Sequence, residues 1–235
     1  MTTTRTIVTL IGLALASGPG LAAQTADARA YLDLNVAGQT QSVTLATSSA
    51  VGLFDELATT STSQTVGKGL LFDGGAGYRV RPNLTIGIAV SLFNRAPVGT
   101  IVATIPDPLV YGRFSSVGAA PKLTHTELGT HVKVGYVKRV SDTIDLAISG
   151  GPSFIRLTKD IASATIANGG AQITVGRQTG TAVGVNAGID LGYFFTRRLG
   201  GGIFARYVAA KADLPAAAGV SVGGFQGGLG LRVRF

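Results

Sequence analysis

The chain ends on a period-two pattern. Over residues 225–235, Phe225, Gly227, Leu229, Leu231, Val233 and Phe235 fall on one face, and Gln226, Gly228, Gly230, Arg232 and Arg234 on the other. Such a strand separates two environments. Seven earlier segments carry the same signature. Strand one covers about 29–38, with Leu32, Leu34 and Val36 opposite Asp33 and Asn35. Strand two covers about 67–80, with Leu70, Phe72, Ala76 and Tyr78 opposite Asp73, Gly75, Gly77 and Arg79. Strand three places Leu84, Ile86, Ile88, Val90 and Leu92 on one side. Strand four, about 124–140, sets Leu128, Val132, Val134 and Tyr136 against Glu127, Gly129, His131 and Lys133. Strand five turns Ile144, Leu146, Ile148 and Phe154 one way. Strand six, 183–195, alternates Val183, Val185, Ile189, Leu191, Tyr193 and Phe195 with Asn186, Gly188, Asp190 and Gly192. Strand seven, about 199–210, sets Ile203, Ala205 and Tyr207 against Phe204 and Arg206.

The connections after strands two, four and six are tight turns at Arg81-Pro82-Asn83, Ser141-Asp142-Thr143 and Thr196-Arg197-Arg198. The others are long, at roughly 39–66, 95–123, 159–179 and 211–219. An even strand count with short turns at one end and long loops at the other belongs to barrels of the bacterial outer membrane. The expected fold is therefore all-β: an eight-stranded antiparallel up-and-down transmembrane β-barrel with four long external loops and three short periplasmic turns, both termini being periplasmic. A soluble lipocalin-like barrel would turn its apolar side inward around a ligand. That arrangement is disfavoured, because the opposite face carries the charges.

Composition adds a location. Residues 1–23 read as a cleavable signal peptide: Arg5 is the only charge before Asp27, a short apolar run spans 7–16, and small residues surround Ala22 and Ala23. Residues 24–235 then form the barrel domain. No later run reaches about 18 uninterrupted apolar residues, as a spanning helix requires. Cysteine is absent, which removes disulfides and thiolate chemistry. The formal charge is +8, but its basic residues gather at strand ends and turns (Arg79, Arg81, Lys138, Arg139, Arg197, Arg198), with no nucleic-acid motif. Tyr78, Tyr136, Tyr193 and Phe195 cluster at the same ends, as a periplasmic-side aromatic girdle would.

With these strands in place, the chain resembles the small eight-stranded outer-membrane proteins of the OmpA-transmembrane-domain, OmpX and OmpW type, over about 29–235. The terminal Leu229, Leu231, Val233 and Phe235 look like the signal used by the barrel-assembly machinery. The resemblance implies a protein embedded among outer-membrane lipids and lipopolysaccharide, a monomer with no cofactor and no nucleic-acid partner. It shows no counterpart of the peptidoglycan-binding domain carried by full-length OmpA proteins.

An eight-stranded barrel is just wide enough for side chains to fill it. Asp33, Asp73, Glu127, Lys133, Asp190, Arg206, Arg232 and Arg234 are therefore expected to form a charge network that largely plugs the lumen. Inward glycines leave room for bulkier neighbours. His125 and His131 share a face but lie about 20 Å apart along a strand, too far to share a metal ion. His125 is close to Glu127, yet no His-x-Ser motif accompanies it, and it reads as a solvent-exposed rim histidine. Pro152 is expected to mark a bulge or an irregular strand near the rim. In the loops, a short helical turn fits Val51 to Ala58, the stretch 105–111 is rigid and partly apolar, and 161–178 alternates enough to project as strands beyond the membrane. The expected role is non-enzymatic, in envelope structure or surface interaction. A narrow porin or hydrophobic-solute channel is the alternative, followed by a lipid-modifying enzyme.

Overall fold

The computed structural model describes residues 29–167, 170–215 and 217–235. The signal-peptide expectation for 1–23 lies outside them. The described residues form twelve β-strands: β1 Ala30–Gln39, β2 Val43–Leu53, β3 Glu56–Val66, β4 Gly69–Arg81, β5 Leu84–Arg95, β6 Thr100–Pro106, β7 Phe114–Ala119, β8 His125–Arg139, β9 Ile144–Ala167, β10 Gly170–Phe194, β11 Leu199–Leu214 and β12 Ala217–Arg234.

Eight of them close a barrel in the order β1-β12-β11-β10-β9-β8-β5-β4. All of its neighbours are antiparallel. The seam between first and last strands runs from Tyr31 opposite Arg234 to Gln39 opposite Gln226. Closure leaves no free edge, which a spanning sheet requires where no water can bond its backbone.

The alternation fixes which face is which. Leu34, Val36, Phe72, Ile86, Ile88, Val90, Val134, Ile189, Ile203, Leu229 and Leu231 all point outward and are exposed, whereas Asp33, Asn35, Asp73, Glu127, His131, Asn186, Arg206 and Arg232 are buried inside. An apolar belt around the entire wall, enclosing charge, is the inverse of a soluble barrel and the arrangement of a membrane-spanning one. Tyr78, Tyr136, Tyr193 and Phe195 are exposed at the short-turn end. The inward glycines do make room: a side chain at Gly77 or Gly87 would collide with the Tyr31 ring, and one at Gly202 with the Arg232 guanidinium.

At the other end the chain departs from the expected loops. The first two are hairpins, and together they build a second sheet in the order β2-β3-β6-β7. The stretch 51–58, where a helical turn fits the sequence, is the tip of the β2–β3 hairpin instead. Phe54 and Asp55 turn it with φ of 54° and 63°, the pair of left-handed residues that matches the twist of a two-residue hairpin. The third loop is strand, as its alternation suggests: β9 and β10 stay paired from Ile144 opposite Tyr193 up to Ala167 opposite Gly170. The fourth is much shorter than 211–219, because β11 runs to Leu214 and β12 starts at Ala217. Inward-facing Val220 and Val222 pack there in a buried apolar cluster with Ala212 and Leu214, and this burial stabilises the strand ends.

Pro152 does interrupt one ladder, as expected, but without a bulge and away from the rim. It lies within the outward apolar belt, and its register with β10 is unbroken, Val185 standing opposite it. Only the β8 side shows the missing N–H. That ladder passes from His131–Ser153 to Val134–Gly150 without a register shift, leaving out the two pairs between. The Asn186 amide fills the gap, its Nδ2 lying 3.3 Å from the Val132 carbonyl, 2.9 Å from that of Gly151 and 3.2 Å from that of Pro152.

Candidate functional site

The lumen is the first candidate, because the charged side chains lie enclosed there behind the apolar belt. Its side chains connect from end to end. At the long-loop end, His125 Nε2 and Glu127 Oε1 share a 2.8 Å hydrogen bond. Gln39 Nε2 donates to Glu127 Oε2 at 3.1 Å, and Gln226 Nε2 donates to Gln39 Oε1 at 2.9 Å. Arg206 Nε donates to Gln226 Oε1 at 2.9 Å, and Arg206 Nη2 to Asp73 Oδ2 at 2.8 Å. Asn35 Nδ2 donates to Asp73 Oδ1 at 3.0 Å and accepts from Arg232 Nη1 at 2.6 Å. Arg232 closes the file on Asp190, Nε to Oδ1 at 3.0 Å and Nη2 to Oδ2 at 2.5 Å. Asp33 stands beside it, 3.7 Å from both Lys133 Nζ and Arg232 Nε. In a low-dielectric interior such ions are tolerable when paired, and all of these except Asp33 and Lys133, which meet their partners at 3.7 Å, are hydrogen-bonded as well.

Every charge anticipated for the lumen faces inward, but they do not form a single cluster. Asp33, Lys133, Arg232 and Asp190 meet near the short-turn end, and Asp73 and Arg206 pair at mid-height. Among the described residues Glu127 has no Arg or Lys within ion-pair distance; besides His125 and Gln39, it accepts from the Gly223 N–H at 3.0 Å. Gly223 has a φ of +91°, and a Cβ there would press on Val208. Glycine thus lets β12 aim that N–H into the lumen. Arg234 lies at the short-turn end, 3.2 Å from Asp145 and 3.8 Å over the Phe194 ring. Asp145 also faces Arg79 and Arg139. Sequence reasoning missed Asp145, Gln39, Gln226 and Asn186. Gln39 and Gln226 link Glu127 to Arg206, ions that do not touch, while Asn186 serves backbone carbonyls, and a neutral residue on a polar face carries no sign of charge to mark it.

Around this file the upper lumen is apolar. Leu71, Phe93, Ala37 and Val66 form one buried cluster, and Ile155, Leu157, Ala182, Val208 and their partners a second, against which β2 contributes Val43 and Leu45. Toward the short turns a cavity with about 110 Å³ of water-accessible space, open to solvent, is lined by Tyr31, Asp33, Lys133, Asp145, Asp190, Arg232 and Arg234 among others.

The histidines do not stand where a rim reading puts them. His125 is 1 % exposed, edge-on to Phe93 at 6.1 Å between ring centroids, with its Nδ1 unpartnered. It is inward-facing, and the apolar wall covers it. His131 is wholly buried between Ser91 Oγ at 2.9 Å and Ser153 Oγ at 2.8 Å. A hydrolytic site needs a hydroxyl against the base and an orienting group behind it. His125 has the orienting carboxylate but no hydroxyl at its other nitrogen. His131 has hydroxyls at both nitrogens and no carboxylate. Among the described residues no three His, Asp or Glu side chains gather as metal ligands would.

The second sheet, β2-β3-β6-β7, is the other candidate. It docks on the β9–β10 projection through Ile101, Leu123 and Ala162, with Ala164 and Ile173 against them. Its β2–β3 hairpin is cross-linked by hydroxyl pairs: Thr44–Thr65 at 2.9 Å, Thr47–Thr62 at 2.5 Å and Ser49–Thr60 at 2.6 Å. The β6–β7 turn is tied to the neighbouring tip by the Gly112 N–H on Glu56 Oε1 at 2.9 Å. Together the two tips expose Phe54, Leu57, Leu109, Val110, Tyr111 and Phe114.

No protein-family model matches the chain, and no curated protein does. Solved structures with a similar course include Neisserial surface protein A, at 16% identity and a TM-score of 0.44 over 88% of this chain and 97% of that one. The outer membrane protein OprG from Pseudomonas aeruginosa matches at 10% identity and 0.43 over 88% and 96%. The outer membrane protease OmpT from Escherichia coli matches at 10% and 0.45 over 89% and 98%. The fold itself is established by the strand register: a closed antiparallel barrel of eight strands, apolar outside and ionic inside, with its short turns at one end, which is the architecture of a small outer-membrane β-barrel.

Proposed function

We propose that this protein is a non-enzymatic, monomeric barrel of the outer membrane, with its lumen closed to solutes, its short turns and both termini on the periplasmic side and its second sheet presented outside the cell. Its role on this reading is in envelope structure or surface interaction. The partners are outer-membrane lipids and lipopolysaccharide along the wall and, during biogenesis, the barrel-assembly machinery acting on Leu229, Leu231, Val233 and Phe235. The observation that carries the closed lumen is the unbroken file of hydrogen bonds from His125 to Asp190, roofed by apolar side chains. The sheet, with its exposed aromatic tips, supplies the surface for interaction.

The alternative is a narrow porin or hydrophobic-solute channel, and the apolar lining of the upper lumen favours it. Planar-bilayer recording separates the two. A closed barrel gives no steady conductance, whereas reproducible single-channel steps from the wild-type protein would establish the channel and reject the closed lumen. An enzymatic role is disfavoured by the incomplete surroundings of both histidines. Turnover of lipid A or of a peptide by purified protein that is lost in His125→Ala would reverse that judgement.

A further inference from the structure

The second sheet has two edges, and they are built differently. β2 pairs with β3 along its whole length, from Val43 opposite Val66 to Leu53 opposite Glu56, and among the described residues no strand lies on its other side. Alternate residues therefore turn N–H and C=O groups outward with no strand to take them. Folded proteins guard such an edge with charge, proline or a bulge. β2 has none of these: its eleven residues are VTLATSSAVGL, its register on β3 has no shift, and residues 46–52 are all exposed. The opposite edge, β7, is guarded. It has six residues, with Arg113 directly before it and Pro121 and Lys122 soon after.

The pattern of the β2 edge is palindromic about Ser48. Two antiparallel copies with Ser48 on Ser48 set Thr47 against Ser49, Ala46 against Ala50 and Leu45 against Val51. Hydroxyl then meets hydroxyl and apolar meets apolar, the pairs that stabilise adjacent strands. Hydroxyl pairs of this kind already join β2 to β3, at Thr44–Thr65 and Thr47–Thr62. Exposed Val51 gains an apolar neighbour in this register, whereas a slip of one residue sets Leu45 against Gly52 and Thr47 against Ala50. We infer that β2 is a self-recognition edge, at which two copies of this chain join as antiparallel strands about a two-fold axis through Ser48. Direction then fixes where the barrels lie. β2 starts at the barrel mouth, where Val43 and Leu45 pack on the apolar cluster of β11 and β12, and leads away to the hairpin tip at Phe54-Asp55. Antiparallel strands that each lead away from their barrel put the two barrels at opposite ends. The pair therefore joins barrels in facing membranes, while neighbours in one membrane would need parallel strands. Each barrel stays a monomer within its own membrane. One strand pair is a small contact, but many of them act together between two surfaces. Pairing between cells rests on the outward placement of the second sheet proposed above; the strand contact itself does not.

The test uses the full chain at one barrel per phosphatidylcholine nanodisc, so that any pair joins separate membranes. Sedimentation velocity over a concentration series reads the pairing, with empty nanodiscs as the control. Reversible pairs of discs are expected, weakened about tenfold or more in Ser48→Lys, which sets two like charges face to face at the axis. The chain has no cysteine, so Ser48→Cys carries a single thiol. Directly opposed residues have Cα atoms about 4.5–5.5 Å apart, within disulfide reach, and mild oxidation should convert Ser48→Cys to covalent dimers. Ser61 stands opposite Ser48 on β3. Its copy lies three strand spacings away, about 14 Å, so Ser61→Cys should not cross-link. Absence of pairing at every concentration, pairing of Ser48→Lys discs as tight as wild type, or equal cross-linking of the two cysteine variants would each overturn the inference. If Ser48→Lys does not fold, the cross-linking contrast decides. A membrane-impermeant maleimide on dilute intact cells reads the sidedness separately. Labelling of Ser48→Cys supports pairing between cells, and protection from the label, with pairing retained in discs, would overturn both that pairing and the outward placement of the sheet.

Discussion

Single residues here act by supplying hydrogen bonds that the backbone or an ion lacks. Asn186 does so for the edge that Pro152 leaves open. Removing its amide strands carbonyls inside the wall, and Asn186→Ala is expected to destabilise the folded barrel by about 1–3 kcal/mol, read from urea titrations in detergent. In a Pro152→Ala background, where the strand regains an N–H, the same change should cost less, and equal costs in both backgrounds would show that the two are uncoupled. Asp107 acts likewise in the β6–β7 turn. It accepts from the N–H groups of Leu109 at 2.8 Å and Val110 at 3.2 Å, and from Arg113 Nε at 2.7 Å. The Leu109 bond first, and Arg113 next, hold its carboxyl below the usual carboxylate range. A depressed value stabilises the turn above the unfolded pKa of about 4, and that contribution is lost as pH falls through the folded value. Hydrogen exchange of the Leu109 and Val110 amides should accelerate with acid in the wild type relative to Asp107→Asn, which lacks the titration. Neither role is visible in the sequence, since both depend on which backbone group is left over.

Between elements, the eight wall strands were legible because each repeats one demand, lipid on one side and a packed interior on the other, at a period of two. Beyond the belt that demand ends, and so does the legibility. β2 and β3 are rich in Thr and Ser without a continuous apolar face, and their turn at Phe54-Asp55 has neither the Gly nor the Asn that marks a hairpin. The sheet is held instead by contacts remote in sequence, Ile101 and Leu123 on Ala162. Ile101→Asp buries a charge at that seam, and it is expected to free the second sheet while sparing the wall. Proteolysis should then cut within 43–66 and 100–119 in the variant, and the protected core should keep the slow heat-induced shift of a folded barrel on SDS gels. If the variant resists protease as the wild type does, the sheet is not held by that contact. The candidate site divides in the same way: the charges were read from the sequence, whereas the Gln39 amide that links Glu127 to Gln226 was not, because a neutral side chain gives no sign of the ions it connects.

At the scale of the whole molecule, closure of the lumen has two layers in series. Near the short turns and at mid-height the barrier is ionic, with Arg206 held by Asp73 and Gln226, and Arg232 held by Asp190 and Asn35. Toward the long loops it is steric and apolar, with Leu71 and Phe93 buried side by side in the bore and Phe204 of β11 packed against their cluster. Series barriers have a distinctive consequence, because the least permeable layer sets the flux and opening either one alone changes little. Arg206→Ala should therefore stay electrically silent in planar bilayers even though it strands Asp73 as a buried uncompensated charge, a change expected to cost about 3–5 kcal/mol of stability. Leu71→Gly with Phe93→Gly should also stay silent, the ionic layer remaining intact. Only the triple variant is expected to conduct, and its current should favour cations, since removing Arg206 leaves Asp73 facing the opened path. Conductance in either partial variant would show that one layer carries the whole barrier. Silence in the triple variant would place the seal higher, in the roof that β2 lays across Val208 and Val222 through Val43 and Leu45.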